Sequence, residues 1–398
     1  MLSRIRSPRS ILSLVGGIAV AGVVLAGCSA PPSSSESSSA SPSAQSESTP
    51  FDPETVKALD GILDAAVTEH GMPGVTLAVW SPDGDYVSSA GHADVDAKTA
   101  MTPELHHRIG SVTKTFVITA LLRLVDQGKA SLDDPISEYV DGVTRGDEIT
   151  LRQLAAMTAG VPDYTEDPEF VGMYLPDPQV ALTPRDLVDE VSGMPLTDEP
   201  GAEMSYSNTN TVLVGMAIEK ITGEPLAEVL QEEVAEPLGL ENTFLPTATE
   251  FPEPHAQGYT AQQSDDGSVT AATDWNPSWA WASGGMISTL DDLRIWVPAL
   301  ATGELLSPEM QKERLTVTPV NPEQPDWGYG LGIFNLGGWI GHNGSLPGYK
   351  TVTIYLPEKE MTIVAFVNSD APGSSDLGSG LVTPVTELLT PEAPYVLD

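Results

Sequence analysis

The chain has 398 residues, 40% of them hydrophobic, with 34 prolines, 36 glycines and a formal charge of −38 from 56 acidic and 18 basic side chains. That length and apolar content suit one large folded unit or two joined lobes, while so acidic a surface repels phosphate backbones and anionic lipid, which sets nucleic acid aside as a partner. One cysteine and six scattered histidines exclude structural disulfides and offer no metal ligand set.

The N-terminus reads as a targeting segment. Arg4, Arg6 and Arg9 form a basic leader, and Ile11 to Ala26 is an uncharged, mostly apolar run. It is shorter than the ~20 apolar residues that span a bilayer, so residues 1–27 are expected to be a cleaved signal peptide. The only cysteine, Cys28, follows Leu25-Ala26-Gly27 directly. An ordinary signal peptide with an incidental thiol would also fit. Residues 28–50 are rich in serine and proline and lack aromatic groups, as in a flexible tether. The folded domain is expected over 51–398.

Within that domain, apolar spacing predicts a helix over 51–70, a strand over 74–80, a turn at Ser81-Pro82-Asp83-Gly84 and a returning strand over 86–90. A helix follows over 112–127, stopped by Gly128. The middle of the chain reads as helices and proline-rich loops, including helices over 151–157 and 211–221. Strands return over 328–334, 339–342, 350–356 and 361–368, and a last helix over 376–389. Strands at both ends around a helical middle predict an α/β (α+β) fold: one antiparallel sheet flanked by helices, with an inserted α-rich lobe. The cleft between sheet and lobe is where a site is expected.

Three short patterns carry chemistry. Ser111 and Lys114 form the only S-x-x-K of the sequence, and positions i and i+3 share a helix face. A serine hydroxyl becomes nucleophilic when a base takes its proton, and a desolvated lysine can be that base. A capping serine beside a surface lysine is the plainer alternative. Tyr206-Ser207-Asn208 is the only Y-x-N, placed just before a helix. A phenol can relay a proton and a carboxamide can both donate and accept; the plainer alternative is that Asn208 or Asn210 caps that helix and Tyr206 packs against its side. In Trp339-Ile340-Gly341-His342-Asn343-Gly344-Ser345, Gly344 would let a substrate backbone approach a strand edge. The N–H of Ser345 would join that of Ser111 as an oxyanion hole. The alternative is a simple turn with a partly exposed histidine.

Taken together, S-x-x-K, Y-x-N and H-x-G in this order resemble the serine β-lactamase and penicillin-binding superfamily, in particular its class C β-lactamase, D-alanyl-D-alanine carboxypeptidase and esterase branch. HRIGSVTKTF, LRQLAAMTAGVPDY, PGAEMSYSNTNTVLVG, EPLGLENT, WASGGMISTLDDL and GYGLGI extend the likeness over 51–370. LAGC similarly resembles the lipobox of bacterial lipoproteins, which implies a diacylated Cys28 and a lipid anchor on the extracytoplasmic face of the cell membrane. The resemblance implies a serine hydrolase without cofactor or metal, most simply a D-alanyl-D-alanine carboxypeptidase-like peptidase or amidase. Its substrate would be a small peptide-like molecule: cell-wall peptide, β-lactam or ester. An esterase, a weak β-lactamase or a non-catalytic peptide-binding relative are the alternatives. It implies that Ser111 is acylated, Lys114 and Tyr206 move its proton, and Asn208 holds the acyl amide. His342, Asn343, Gly344 and Ser345 would line the substrate strand, His342 standing where the family usually has lysine. A histidine there is expected to act as a conditional positive charge near neutral pH. After Arg314 the sequence has no arginine, so the third pattern lacks an evident carboxylate clamp.

Overall fold

The computed structural model describes residues 49–396 except 265, 322, 325, 326, 374 and 375. The expected signal peptide and most of the expected tether, with Cys28, lie outside them.

Nine strands build one sheet: β1 Gly74–Ser81, β2 Gly84–Asp94, β3 Thr99–Ala100, β4 Thr318–Pro319, β5 Gly328–Tyr329, β6 Phe334–Leu336, β7 Trp339–Leu346, β8 Tyr349–Leu356 and β9 Met361–Val367. Their order is β3-β2-β1-β9-β8-β7-β6-β5-β4, and every neighbouring pair is antiparallel. The expected closure of the sheet by both ends of the chain is the β1–β9 pairing, with Val75 opposite Val367 and Trp80 opposite Thr362.

The central strands are covered on both faces, which is why β1 and β9 read as continuous apolar runs. Val75, Leu77, Val79, Ile363 and Ala365 pack under α1 (Pro53–Thr68) and the C-terminal helical turns. Ala78, Trp80, Val364 and Phe366 project the other way, into the core beneath the helical lobe. Here α2 (Thr113–Asp126) lies at the centre. Eleven of its residues are buried, from Thr113 to Leu124, so it is enclosed almost all round rather than amphipathic. Beside it runs α3 (Asn208–Thr222), ended by Gly223 in the left-handed conformation.

Three expectations need amendment. The strand expected over 328–334 is broken into β5 and β6, because Gly332 turns at φ +73° against the Ile118 side chain. The strand expected to stop at His342 runs on to Leu346 and turns tightly at Pro347-Gly348 into β8. The last helix begins at Thr383, after a wide turn over Gly378–Val382.

Candidate active site

Ser111 lies in a single 3₁₀ turn, Gly110–Val112, that leads directly into α2. Two glycines allow this turn to press against β7. Gly110 has φ +53°, and a Cβ there would come 2.5 Å from the Ser345 nitrogen. A Cβ on Gly344 would fall on the Ile109 carbonyl oxygen and 3.0 Å from the Ser111 nitrogen. Gly344 is therefore required by the protein's own backbone, a different reason from the substrate approach expected of it. The turn is also tied down by Ile109 N–H to the Met286 carbonyl (3.1 Å) and Met286 N–H to Thr113 Oγ1 (3.1 Å).

Strand pairing explains the orientation of the facing edge. Leu346 and Tyr349 close the β7–β8 hairpin, and hydrogen-bonded pairs then alternate along β7. Asn343 and Ser345 consequently direct their backbone groups away from β8, toward the side where β6 pairs only as far as Gly341. The Ser345 N–H thus faces away from β8, and the close approach of Gly110 to the Ser345 nitrogen and of Gly344 to the Ser111 nitrogen brings the two backbone nitrogens to one side of the turn, as an oxyanion hole needs.

Lys114 is fully buried. Its Nζ lies 3.0 Å from Ser111 Oγ, 2.7 Å from Asn208 Oδ1 and 2.6 Å from the Ser283 carbonyl oxygen. Two of these neighbours are carbonyl oxygens that can only accept. A neutral amine spends both its N–H bonds on them, and its lone pair then points at the serine hydroxyl. Burial pulls the Lys114 pKa down to about 7, opposed by the charge of Asp163. The lysine is thus able to lose and regain a proton near neutral pH.

The orientation of Asn208 is fixed from behind. Its Nδ2 donates to Asp163 Oδ2 (2.9 Å) and Thr165 Oγ1 (3.1 Å), and its backbone N–H donates to Asp163 Oδ2 (3.0 Å). Both ends of the amide are occupied within the protein, so here Asn208 holds Lys114 rather than presenting a free amide. Tyr206, just before α3, hydrogen-bonds with Ser111 and remains partly exposed. Burial pushes its phenol well above the usual range, with the Ser111 bond opposing, so it is a neutral hydroxyl. Lys114 Nζ sits 5.0 Å from its ring centroid.

His342 is 1% exposed. Its Nδ1–H donates to the Asn343 carbonyl, which leaves Nε2 to accept from Tyr329 Oη at 3.2 Å. Tyr206, Tyr329 and Phe334 surround the imidazole, with ring centroids 5.0–6.3 Å away. Burial first, and the nearby Lys114 charge second, depress its pKa to about 3. This corrects the expectation of a conditional positive charge: above pH 5 the histidine is neutral. The Asn343 side chain belongs to the opposite face of β7 by the two-residue alternation of a strand. It lines a surface hollow with Ser345, Lys350 and Asp376 instead of the Ser111 pocket.

Ser111, Lys114, Tyr206, Asn208, His342 and the backbone of Ser345 are therefore brought together; the side chains of Asn343 and Ser345 are not. Sequence reasoning did not single out Asp163, Thr165, Ser283 and Tyr329. Asp163, Ser283 and Tyr329 lie in stretches recognised as family-like, but their roles arise only from contacts between segments distant in sequence.

A serine and a buried lysine beside an antiparallel sheet, with a tyrosine at the mouth, define the serine-hydrolase fold of β-lactamases and penicillin-binding proteins. The chain belongs to the Beta-lactamase family, whose model matches residues 59–382. It is similar to a D-stereospecific amidohydrolase from Streptomyces sp., with 33% identity, TM-score 0.74, and 83% of this chain and 97% of that one covered. It also resembles the D-amino acid amidase of Ochrobactrum anthropi SV3 (30% identity, TM-score 0.73, 84% and 97% covered). Among curated proteins, Protein flp of Staphylococcus aureus is 24% identical over 79% of this chain. The putative penicillin-binding protein PbpX of Bacillus subtilis is 25% identical over 75% of this chain and 71% of its own length. The chain spans 63% of the length of Protein flp.

Proposed function

We propose that the protein is a serine hydrolase that cleaves amide bonds in peptide-like substrates through an acyl-enzyme on Ser111, with D-amino-acid amides or D-residue-containing wall peptides as the substrate class. The observation that carries this reading is the environment of Lys114: two carbonyl acceptors hold its N–H bonds while its third neighbour is the Ser111 hydroxyl. Neutral Lys114 takes the hydroxyl proton as Oγ attacks the substrate carbonyl. The oxyanion forms between the N–H groups of Ser111 and Ser345. The Tyr206 phenol delivers a proton to the departing amine and is restored through Lys114; water then attacks the ester on the reverse path.

The neutral His342 favours an amidase over a strict carboxypeptidase. A terminal carboxylate beside the leaving group would meet an uncharged imidazole there, and an unpaired buried anion is costly. Two solved structures similar to this chain carry amidohydrolase and amidase names, which supports the same choice. A panel of a D-amino-acid amide, a D-Ala-D-Ala tripeptide, nitrocefin and a short-chain p-nitrophenyl ester tests it. Turnover of the amide well above the tripeptide is expected, abolished in Ser111→Ala. Ser111→Ala hydrolysing at the parental rate would end the proposal.

We further propose that the enzyme works outside the cytoplasmic membrane, held by lipid on Cys28 through the 28–50 tether. Metabolic labelling with a fatty-acid probe is expected to mark the parent and not Cys28→Ala, which should be released from the membrane fraction. Equal labelling of both would refute the anchor.

A further inference from the structure

Arg108 carries a charge that the proposed reaction does not use. It precedes Ser111 by three residues and is 3% exposed. Its guanidinium lies over the Phe251 ring, 4.6 Å from the centroid, and Nη2 donates to the Thr273 carbonyl at 3.3 Å. Nη1 is buried and has no hydrogen-bond partner among the described residues. A guanidinium stays protonated at any working pH, so an unspent donor on it is costly unless a ligand uses it. Burial lowers its pKa, with the field of Asp274 and two tyrosines only partly compensating.

A second unspent donor lies beside it. Among the described residues, Tyr174 Oη is buried without a partner that accepts its proton; the Trp279 indole bears on its oxygen as a donor. Arg108 and Tyr174 line one shallow hollow with Trp275, Trp279, Leu346 and Pro347. Its enclosed part has room for a single small polar group, one carboxylate oxygen or one water. Asn276 also lines it, but its amide is spent on the Gln179 carbonyl and the Ser278 N–H; two unspent donors, one charged, among aromatic and apolar neighbours select an anion.

The hollow adjoins the Ser111 turn. A Cβ on Gly284 would lie 3.5 Å from the Gly110 carbonyl carbon and 3.6 Å from Leu346 Cδ2, so the Leu346 wall is shared with the turn. Direction along β7 assigns the substrate half. Tyr206 and His342 occupy the end of β7 toward Ile340, where the leaving group needs its proton. The acyl half then runs past Ser345 to Leu346 and Pro347.

We propose that Arg108 and Tyr174 form an anion-accepting subsite for a carboxylate carried by the acyl half of the substrate. This rests on the Ser111 acyl-enzyme reading. The preferred substrates are therefore acidic acyl donors, with the leaving amine uncharged.

The test compares p-nitrophenyl esters of N-succinyl-D-alanine and N-butyryl-D-alanine, which differ by a carboxylate in place of a methyl group. The parent is expected to favour the succinyl ester in kcat/KM by roughly tenfold or more, as charge-assisted recognition allows. Arg108→Met should remove that preference, and Tyr174→Phe should cut it several-fold, while both retain butyryl ester hydrolysis. If Arg108→Met does not fold, Tyr174→Phe carries the comparison, together with competitive inhibition by free succinate, expected to weaken in that variant. A parental ratio near one, or a ratio unmoved by Tyr174→Phe with succinate inhibition unchanged, overturns the subsite and leaves a bound water as the partner. Loss of both activities in Ser111→Ala alongside such a flat ratio would spare the acyl-enzyme reading. Hydrolysis of neither ester by the parent, without acylation of Ser111, would sink both.

Discussion

Among the described residues, Asp163 is the carboxylate whose charge raises the Lys114 pKa, and it reaches the lysine through Asn208. Replacing it by asparagine keeps the shape and removes the charge. Two hydrogen bonds and one amide separate the charges, roughly 7 Å, so at an effective dielectric near 20 the lost attraction is about 2 kcal/mol. Each 1.36 kcal/mol is one pKa unit, so the ammonium form should lose stability by about 1.5 units. A general base works when deprotonated; removing the anion that favours its proton moves the acid limb of activity to lower pH. The assay is the pre-steady-state burst of p-nitrophenol from a short-chain ester between pH 5 and 9. The parent limb is expected at an apparent pKa of about 7, belonging to the coupled Lys114–Tyr206 network. Asp163→Asn should place it about 1 to 1.5 pH units lower. A limb that stays in place or moves up would refute Lys114 as the base.

Other expectations follow from the same geometry. Asn208→Ala removes one acceptor from Lys114 and should lower the acylation rate by about 10²-fold, the scale of misplaced acid–base groups, with little change in melting temperature. Gly344→Ala places a methyl group on the Ile109 carbonyl oxygen; it should cost activity by about 10²-fold or more through the displaced oxyanion donors, and reduce the urea midpoint. His342→Gln should leave the acid limb of the pH profile in place, because the imidazole is already neutral across it. The stability profile should differ. His342 is held at about 3 in the folded state and titrates near 6.5 when unfolded, so acid favours the unfolded chain and stability falls as pH drops below about 6.5. Each pH unit costs about 1.4 kcal/mol for this one group. Urea midpoints from pH 7 to 5 should therefore fall less steeply in His342→Gln, with the buried His107 contributing equally to both proteins.

The sheet, its closure by the two chain ends and the nucleophile turn were legible because they rest on local signals. These are apolar runs at β1, β8 and β9, a helix-starting S-x-x-K, and turn residues between strands. What was not legible is what depends on distant backbone. The Ser283 carbonyl that holds Lys114 has no side-chain signature. Asp163 acts through an amide 45 residues away, so its aspartate looked like any loop acid. For His342 the sequence offers a strand end or a turn with a partly exposed histidine; in the fold Gly341 and Gly344 let β7 pass close to β8 and to the Ser111 turn. The same continuation of β7 puts Asn343 on the far face, which a three-residue motif cannot convey. The burial of His342 requires Tyr329 and Phe334 from the adjoining β5 and β6, and neither belongs to the motif.

The central claim is that the Ser111 hydroxyl becomes covalently acylated with Lys114 as its base. Intact-protein and peptide mass spectrometry after brief exposure to a fluorescent penicillin or a slowly hydrolysed ester measures this directly. One acyl adduct on the peptide containing Ser111 is predicted, absent in Ser111→Ala and formed far more slowly in Lys114→Met. An adduct on another residue, or one formed as fast without the lysine, would contradict it.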